Sequence, residues 1–506
     1  MSRYILAIDQ GTSSSRAVLF DRNARALHQA QHELTQYYPA PGWVEHDPDE
    51  IWQITYQCCQ EVLEMASASP RDIICIGISN QRETTVVWDK TTGALLHRAI
   101  VWQDRRTADY CEKLSKLSKL STTSKDHELT DQLIIKTGLR LDPYFCASKI
   151  RWLLDQYPDA QAKAERGELA FGTIDTFLLW KFTAGHIHAT DITNASRTLL
   201  FNLVTQNWDD ELLKLFNIPK EILPTIHENT HYYGDTDKKL FGTKIPITAM
   251  IGDQQAALVG QAGFHPGILK TTYGTGAFCL LNTGKEIIHS KHDLLSTVAY
   301  KINNTIAYGL EGSLFNAGTS IQWLRDNLGL IHKSSEADLL ASEVRNTLGV
   351  YFIPAFTGLG APYWDPQARA AILGITRDTH RNHIVRAALE AVAYQTLDLL
   401  GAMRADGVKD ITLMRVDGGM AHSDWLMQFL ADMLSCQIER PNHVETSALG
   451  AAYLAGLSRG VFASLEEIAE LNQHRRVFTP KIDAADREQK YLGWQQALKC
   501  IASPRR

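Results

Sequence analysis

Two short glycine–hydroxyl stretches constrain this chain more than any other feature. The first is Asp9-Gln10-Gly11-Thr12-Ser13-Ser14-Ser15-Arg16, near the start, and the second is Thr271-Thr272-Tyr273-Gly274-Thr275-Gly276-Ala277-Phe278, past the midpoint. Apolar, largely β-branched residues flank both: Tyr4 to Ile8 and Ala17 to Phe20, then Ile268 to Leu269 and Cys279 to Leu281. Each therefore reads as a tight β-hairpin with a tip free of bulky side chains. Glycine lets backbone N–H groups approach a ligand closely, and Ser and Thr hydroxyls add donors, so such a tip can grip phosphate oxygens. Two tips in one chain imply two related halves clamping one nucleotide.

The bulk properties exclude several classes. A length of 506 residues gives at least two domains with full cores. The 44% hydrophobic and 21% charged content is that of a globular protein, and a net charge of −6 argues against a nucleic-acid surface. No apolar run approaches the roughly 20 residues of a membrane helix. Met1 to Asp9 turns acidic too early for a signal peptide and reads as a first strand. The eight cysteines include no Cys-x-x-Cys pair, which fits a reduced, cytoplasmic protein.

Strand-like and helix-like segments alternate, the α/β pattern. Strands are expected at Ile73 to Ser79, Ile245 to Ile251 and Ile411 to Val416, and helices at Ile51 to Ala66, His383 to Met403 and Trp425 to Leu434. The domain boundary is placed at 253, giving domains 1–253 and 254–506. The triple Lys-Leu-Ser repeat within Lys113 to Lys125 reads as a solvated helix end running into a loop.

Several residues can carry chemistry. Asp9 ends the first strand before the tip, where a carboxylate can hold Mg²⁺ beside phosphates; an Asx turn is the other reading. Asp253, after a buried strand, can accept a proton from a substrate hydroxyl or cap a helix. Arg82 and Glu83, in Asn80-Gln81-Arg82-Glu83-Thr84-Thr85, can hydrogen-bond a polyol from both sides or form a surface ion pair. Trp102 can floor a small pocket or pack in a core. Asp417-Gly418-Gly419, with Gly318 and Gln322, fits the approach of a nucleoside to the backbone.

One string misleads. His227-Glu228-Asn229-Thr230-His231 matches the zinc-peptidase pattern His-Glu-x-x-His, which needs a helix to put both histidines on one face. Pro224 and the Asn, Thr and Tyr content of this stretch favour strand and turn. The P-loop string and the protein-kinase His-Arg-Asp set are both missing from the sequence.

Taken together, Ala7 to Thr12, Pro41 to Pro48, Asn80 to Thr85, Thr190 to Arg197, Gly252 to Gln255, Thr272 to Gly276 and Pro354 to Trp364 resemble the carbohydrate-kinase family named for its Phe-Gly-Gly-Tyr motif. The resemblance runs from about residue 3 to about residue 500 and is strongest to the members that act on glycerol. It implies two actin- and hexokinase-like (ribonuclease H-like) domains of duplicated βββαβαβα topology with a cleft between them. It also implies ATP-dependent phosphorylation of glycerol to sn-glycerol 3-phosphate, Mg²⁺ dependence, glycerol catabolism, no membrane insertion and a homo-oligomer, dimer or tetramer.

By position, the resemblance makes Asp253 the general base. Arg82, Glu83, Tyr144 and Gln254 hydrogen-bond the polyol, and Trp102 and Phe278 pack on its carbons. Thr12, Ser13, Ser14 and Arg16 meet the phosphates, with Thr275 from the other domain. Gly318, Gln322 and Gly419 line the nucleotide site, and Asp9 serves Mg²⁺. The chain departs from relatives at Ser423, where they often carry an Asn beside the adenosine. It also lacks the Gly-Gly-x-Gly-Gly stretch between Asp235 and Gly242, and has Lys239 where some carry a phosphorylated His. The Lys-Leu-Ser repeat is an insertion. The competing readings are a kinase of the same family for another polyol or ketose, and a non-catalytic actin-like ATP-binding protein.

Overall fold

The computed structural model describes residues 3–120, 127–363, 365, 367–408, 411, 413–441, 445–472 and 475–501. Its first sheet is built on β1 (Tyr4–Gln10), β2 (Ser14–Phe20), β3 (Ala26–Glu33), β4 (Ile73–Asn80) and β5 (Pro246–Gly252). The second is built on β6 (Ile268–Tyr273), β7 (Ala277–Gly284), β8 (Thr305–Leu314), β9 (Leu413–Asp417) and β10 (Gln437–Pro441). Within the first sheet the order is β3-β2-β1-β4-β5, and it recurs as β8-β7-β6-β9-β10 in the second. The pairing recurs as well. Strands β1 and β6 run antiparallel to the strand that follows and parallel to β4 and β9. These are the two related halves expected from the two tips, with the duplicated topology that the resemblance implies. The second half adds Leu295–Ile302 at its sheet edge.

Physical reasons for the first strand are plain. Ile5, Leu6, Ala7 and Ile8 are all fully buried because both faces of the sheet are covered. Leu6 and Ile8 pack into a core with Ile51, Cys58 and Val62 of α1 (Pro48–Met65). Ile5 and Ala7 point the other way, into a core shared with Ala448 and Ala452. Helix α1 starts at Pro48, ahead of the expected Ile51: the Asp47 carboxylate accepts from the N–H groups of Asp49 and Glu50, and Pro48 fills the first turn.

Four further helices matter to the site: α2 (Asp253–Gly260), α3 (Gly318–Asp326), α4 (Arg381–Ala405) and α5 (Thr446–Ser458). Helix α5 follows β10 in the chain yet lies against β1, β4 and β5 of the first sheet and against α2. The two sheets are thus joined by a crossing of α2 and α5.

The Lys-Leu-Ser repeat lies on the helix Ala108–Leu120, as expected, while its end at 121–125 falls outside the described residues. All eight cysteines are free, and Cys500 alone is exposed. Among the described residues no helix is long and apolar enough to cross a membrane. The His-Glu-x-x-His string is not helical: His227 ends the strand Thr225–His227, and its ring stacks on that of His231 at 3.9 Å.

Candidate active site

Both glycine–hydroxyl stretches are hairpin tips. In the first, the Gly11 N–H donates to the Ser14 carbonyl at 2.9 Å; in the second, the Gly274 N–H donates to the Gly276 carbonyl at 2.8 Å. Glycine is required at the second tip, because a Cβ on Gly276 would sit 2.5 Å from the Leu314 carbonyl. The Thr275 carbonyl accepts from the N–H groups of Ala317 and Thr319, which fixes the tip against the start of α3. Gly318 follows directly, with its N–H on the Gly274 carbonyl at 3.0 Å. Gly418 has φ +86° and leaves no room for a side chain beside the Tyr273 carbonyl, so the Asp-Gly-Gly turn seats on β6. Gly419 and Gln322 are exposed beside this assembly.

At the first tip, Gln31 organises the hydroxyl and the cation. Its amide donates to the Ser14 hydroxyl at 2.9 Å, and its carbonyl oxygen accepts from Arg16 Nη2 at 2.9 Å. Arg16 also pairs with Glu445, which lies just before α5. Ser13 is exposed at the tip. The Thr12 hydroxyl accepts from Trp102 Nε1 at 2.9 Å, linking the tip to the indole.

Trp102 anchors an aromatic wall. Its ring centroid lies 5.7 Å from that of Tyr144 and 5.9 Å from that of Phe278, both in edge contact. Phe278 comes from the second sheet, so this wall is built by both halves.

Beside it, Arg82 and Glu83 are buried, which removes the reading of a surface ion pair. Arg82 Nη1 reaches Glu311 at 2.5 Å and its Nε lies 3.3 Å from Asp253 Oδ1. Glu83 pairs instead with Arg197, whose Nε is 2.6 Å away, while Arg197 Nη2 reaches the other oxygen of Glu311 at 2.8 Å. Glu83 holds φ +59°, a left-handed conformation that costs a non-glycine residue about 1–2 kcal/mol. The buried Lys149 compensates, donating to the carbonyls of Glu83 at 3.1 Å and Tyr144 at 2.9 Å. Burial pushes the Lys149 ammonium down to about 8.

Asp253 opens α2 as its first helical residue. The cap position is Gly252, so the helix-capping reading of Asp253 is corrected: of the N–H groups of α2 its carboxylate meets that of Gln254 alone, at 2.7 Å. About a quarter of the side chain (27%) is accessible. Burial raises its pKa, with Arg82 and Lys270 opposing. Lys270, fully buried on β6, donates to Gln254 Oε1 at 2.7 Å, which leaves the Gln254 amide group for other partners.

Asp9 lies at the end of β1, where burial pushes its carboxyl up to about 6. Arg16 opposes this shift, and the negative fields of Asp253 and Asp417 add to it. Among the described residues no group of three or more His, Cys, Asp or Glu side chains forms a metal cage. The donor set instead fits Mg²⁺, which keeps water and phosphate ligands and takes one or two carboxylates. Asp417 Oδ1 points the same way: it is buried without a hydrogen-bond partner among the described residues.

Family models match the FGGY family of carbohydrate kinases over its N-terminal domain at residues 4–260 and its C-terminal domain at residues 269–459. The chain belongs to the FGGY carbohydrate kinases. It is similar to the glycerol kinase of Coxiella burnetii (strain RSA 493 / Nine Mile phase I), at 57% identity over 504 residues, 100% of this chain and 99% of the relative. Glycerol kinase of Alcanivorax borkumensis is 53% identical, with 99% of both chains covered. Among solved structures, Plasmodium falciparum glycerol kinase with ADP superposes with a TM-score of 0.92 at 38% identity, covering 99% of each chain. Xylulose kinase of Lactobacillus acidophilus shares the fold, with a TM-score of 0.86 at 23% identity over 99% of each chain.

In this FGGY kinase the sequence singles out Arg82, Glu83, Trp102, Tyr144, Asp253 and Phe278, and the fold gathers them in one place. It leaves Glu311, Arg197 and Lys270 unassigned. Their signal was a single charge inside an apolar strand, as at Lys270 and Glu311, and burial without a partner is too costly for such a charge. Ser423 serves the local fold, since its hydroxyl caps the helix Asp424–Leu434 and donates to Asp338 at 2.5 Å.

Proposed function

We propose that this chain transfers the γ-phosphoryl group of ATP to glycerol, giving sn-glycerol 3-phosphate and ADP. The observation that carries the reading is the buried Arg82 and Glu83 beside the partly accessible Asp253, with an aromatic wall of Trp102, Tyr144 and Phe278, in a chain 57% identical to glycerol kinases. Donor, acceptor and apolar wall together suit a short triol, whose hydroxyls need both hydrogen-bond senses and whose carbons need a dry face.

In this reading Asp253 takes the proton from the attacking hydroxyl. Arg82, Glu83, Tyr144 and Gln254 hold the other hydroxyls. Thr12, Ser13, Ser14, Arg16 and Thr275 meet the phosphates, and Gly318, Gln322 and Gly419 line the nucleoside. Asp9 would hold Mg²⁺, which would supply charge neutralisation for the transferring phosphoryl group. Catalysis is then alignment and exclusion of water between two halves divided at residue 253.

A pH dependence follows. Asp253 acts only when ionised, and burial sets its pKa above the usual carboxylate value of about 4. The kcat/KM for glycerol is expected to be full above that raised pKa and to fall as pH drops through it. A profile still flat at about pH 4 contradicts the assignment.

The substrate is tested by coupled ADP release with Mg²⁺-ATP and a panel of no acceptor, glycerol, dihydroxyacetone, erythritol and xylulose. Glycerol is expected to dominate. A stronger response to another acceptor overturns the substrate, and turnover without any acceptor overturns the polyol site.

A further inference from the structure

Among the described residues Glu311 is the carboxylate that pairs with both Arg82 and Arg197. It sits on β8, in the second sheet, with its side chain 2% accessible. One oxygen takes Arg82 Nη1 at 2.5 Å, and the other takes Arg197 Nη2 at 2.8 Å. Through Arg197 Nε, 2.6 Å from Glu83, it also fixes the carboxylate of Glu83. Every link in this chain is buried, so solvent does not screen it.

The geometry also separates Arg82 from Asp253. The guanidinium gives its short contact to Glu311 and only a longer one, 3.3 Å through Nε, to Asp253. Lys270 is the other cation facing Asp253 and Glu311. Without the Glu311 charge, Arg82 and Arg197 have Glu83 and Asp253 as their remaining carboxylate partners. Both of those groups are assigned to the substrate, and a swing of Arg82 onto Asp253 removes the donor from the polyol and covers the base.

We propose that Glu311 is a positioning residue by which the second half of the chain sets Arg82 and Glu83 for the polyol. The inference rests on the reading above that these two residues bind glycerol and Asp253 deprotonates it. Glu311 itself touches neither substrate nor the reacting atoms.

The test is Glu311→Gln, which keeps the shape and removes the charge. The KM for glycerol is expected to rise roughly 30-fold or more, while the KM for ATP stays within about twofold. The double variant Glu311→Gln with Arg197→Met is expected to be no worse than the product of the single effects, and milder if the pair acts as a unit. If Glu311→Gln does not fold by near-ultraviolet circular dichroism, Glu311→Asp is read in the same way, since it keeps the charge but is too short to span both arginines. An unchanged glycerol KM, or equal rises for glycerol and ATP, overturns the proposal. Asp253→Asn measured alongside separates the two readings. If it retains near-native turnover, the base assignment fails; if it is inactive while Glu311→Gln binds glycerol normally, only the role of Glu311 fails.

Discussion

Asp253→Asn is expected to lower kcat by about 10²- to 10⁴-fold, the usual contribution of a positioned general base. The substitution is close to isosteric, and the local frame does not depend on the charge. Gly252 occupies the cap of α2, and an amide oxygen can still accept from the Gln254 N–H and from Arg82 Nε. Glycerol and ATP affinities are therefore expected to stay near native. Stability supplies the control. The Asp253 pKa is raised in the folded state, so the fold binds that proton more tightly than the unfolded chain. Ionising Asp253 then costs stability as pH rises, and the Asn variant should melt no lower than the wild type at pH above neutrality. Rapid-quench turnover at saturating substrates, with calorimetry for binding, checks both parts. Near-native turnover with intact binding removes Asp253 from the role of base.

A second large effect is expected at the crossing of α2 and α5. Gly260 and Gly450 lie at the contact. A Cβ on Gly260 would overlap the Thr446 carbonyl, and one on Gly450 would overlap the Ala256 carbonyl and lie 2.9 Å from the Gly260 N–H. Neither obstacle is a flexible side chain, so the helices must separate to admit a methyl group. Gly77 on β4 meets Ala451 of α5 in the same backbone-to-backbone manner. Gly450→Ala is expected to destabilise the protein by about 3 kcal/mol or more, at the upper end for an overpacked core. Helix α2 begins at Asp253, so the surviving folded fraction should also lose turnover. Denaturant titration against wild type tests this; a midpoint unchanged within error contradicts the close crossing.

The parts of the site that were legible in the sequence share one property: their meaning is local. The two tips could be read because glycine and hydroxyl residues interrupt apolar strands, and hairpin geometry follows from neighbours in the chain. Asp253 could be read from its place at the end of an apolar strand before a small-residue helix. The duplication followed from the repetition of the tip. Glu311 and Arg197 were not legible because their partners lie far away. Arg82 and Glu311 are 229 positions apart, and only the packing of β8 beside the first half brings them to 2.5 Å. The reading of Arg82–Glu83 as a surface pair failed for a tertiary reason, burial, and that of Asp253 as a helix cap for a local one, the cap falling at Gly252. Helix α5 and its place on the first sheet were likewise not read from the sequence, since its face of Ala448, Ala452 and Ala455 suits any close-packed surface.

Phosphorus NMR of the purified protein with ATP, Mg²⁺ and glycerol tests the central claim most directly. The account expects the γ-phosphate resonance to be replaced by glycerol phosphate in step with ADP, and expects no exchange without glycerol. ADP appearing with inorganic phosphate alone, or no turnover at all, contradicts a site built to carry the phosphoryl group to a polyol.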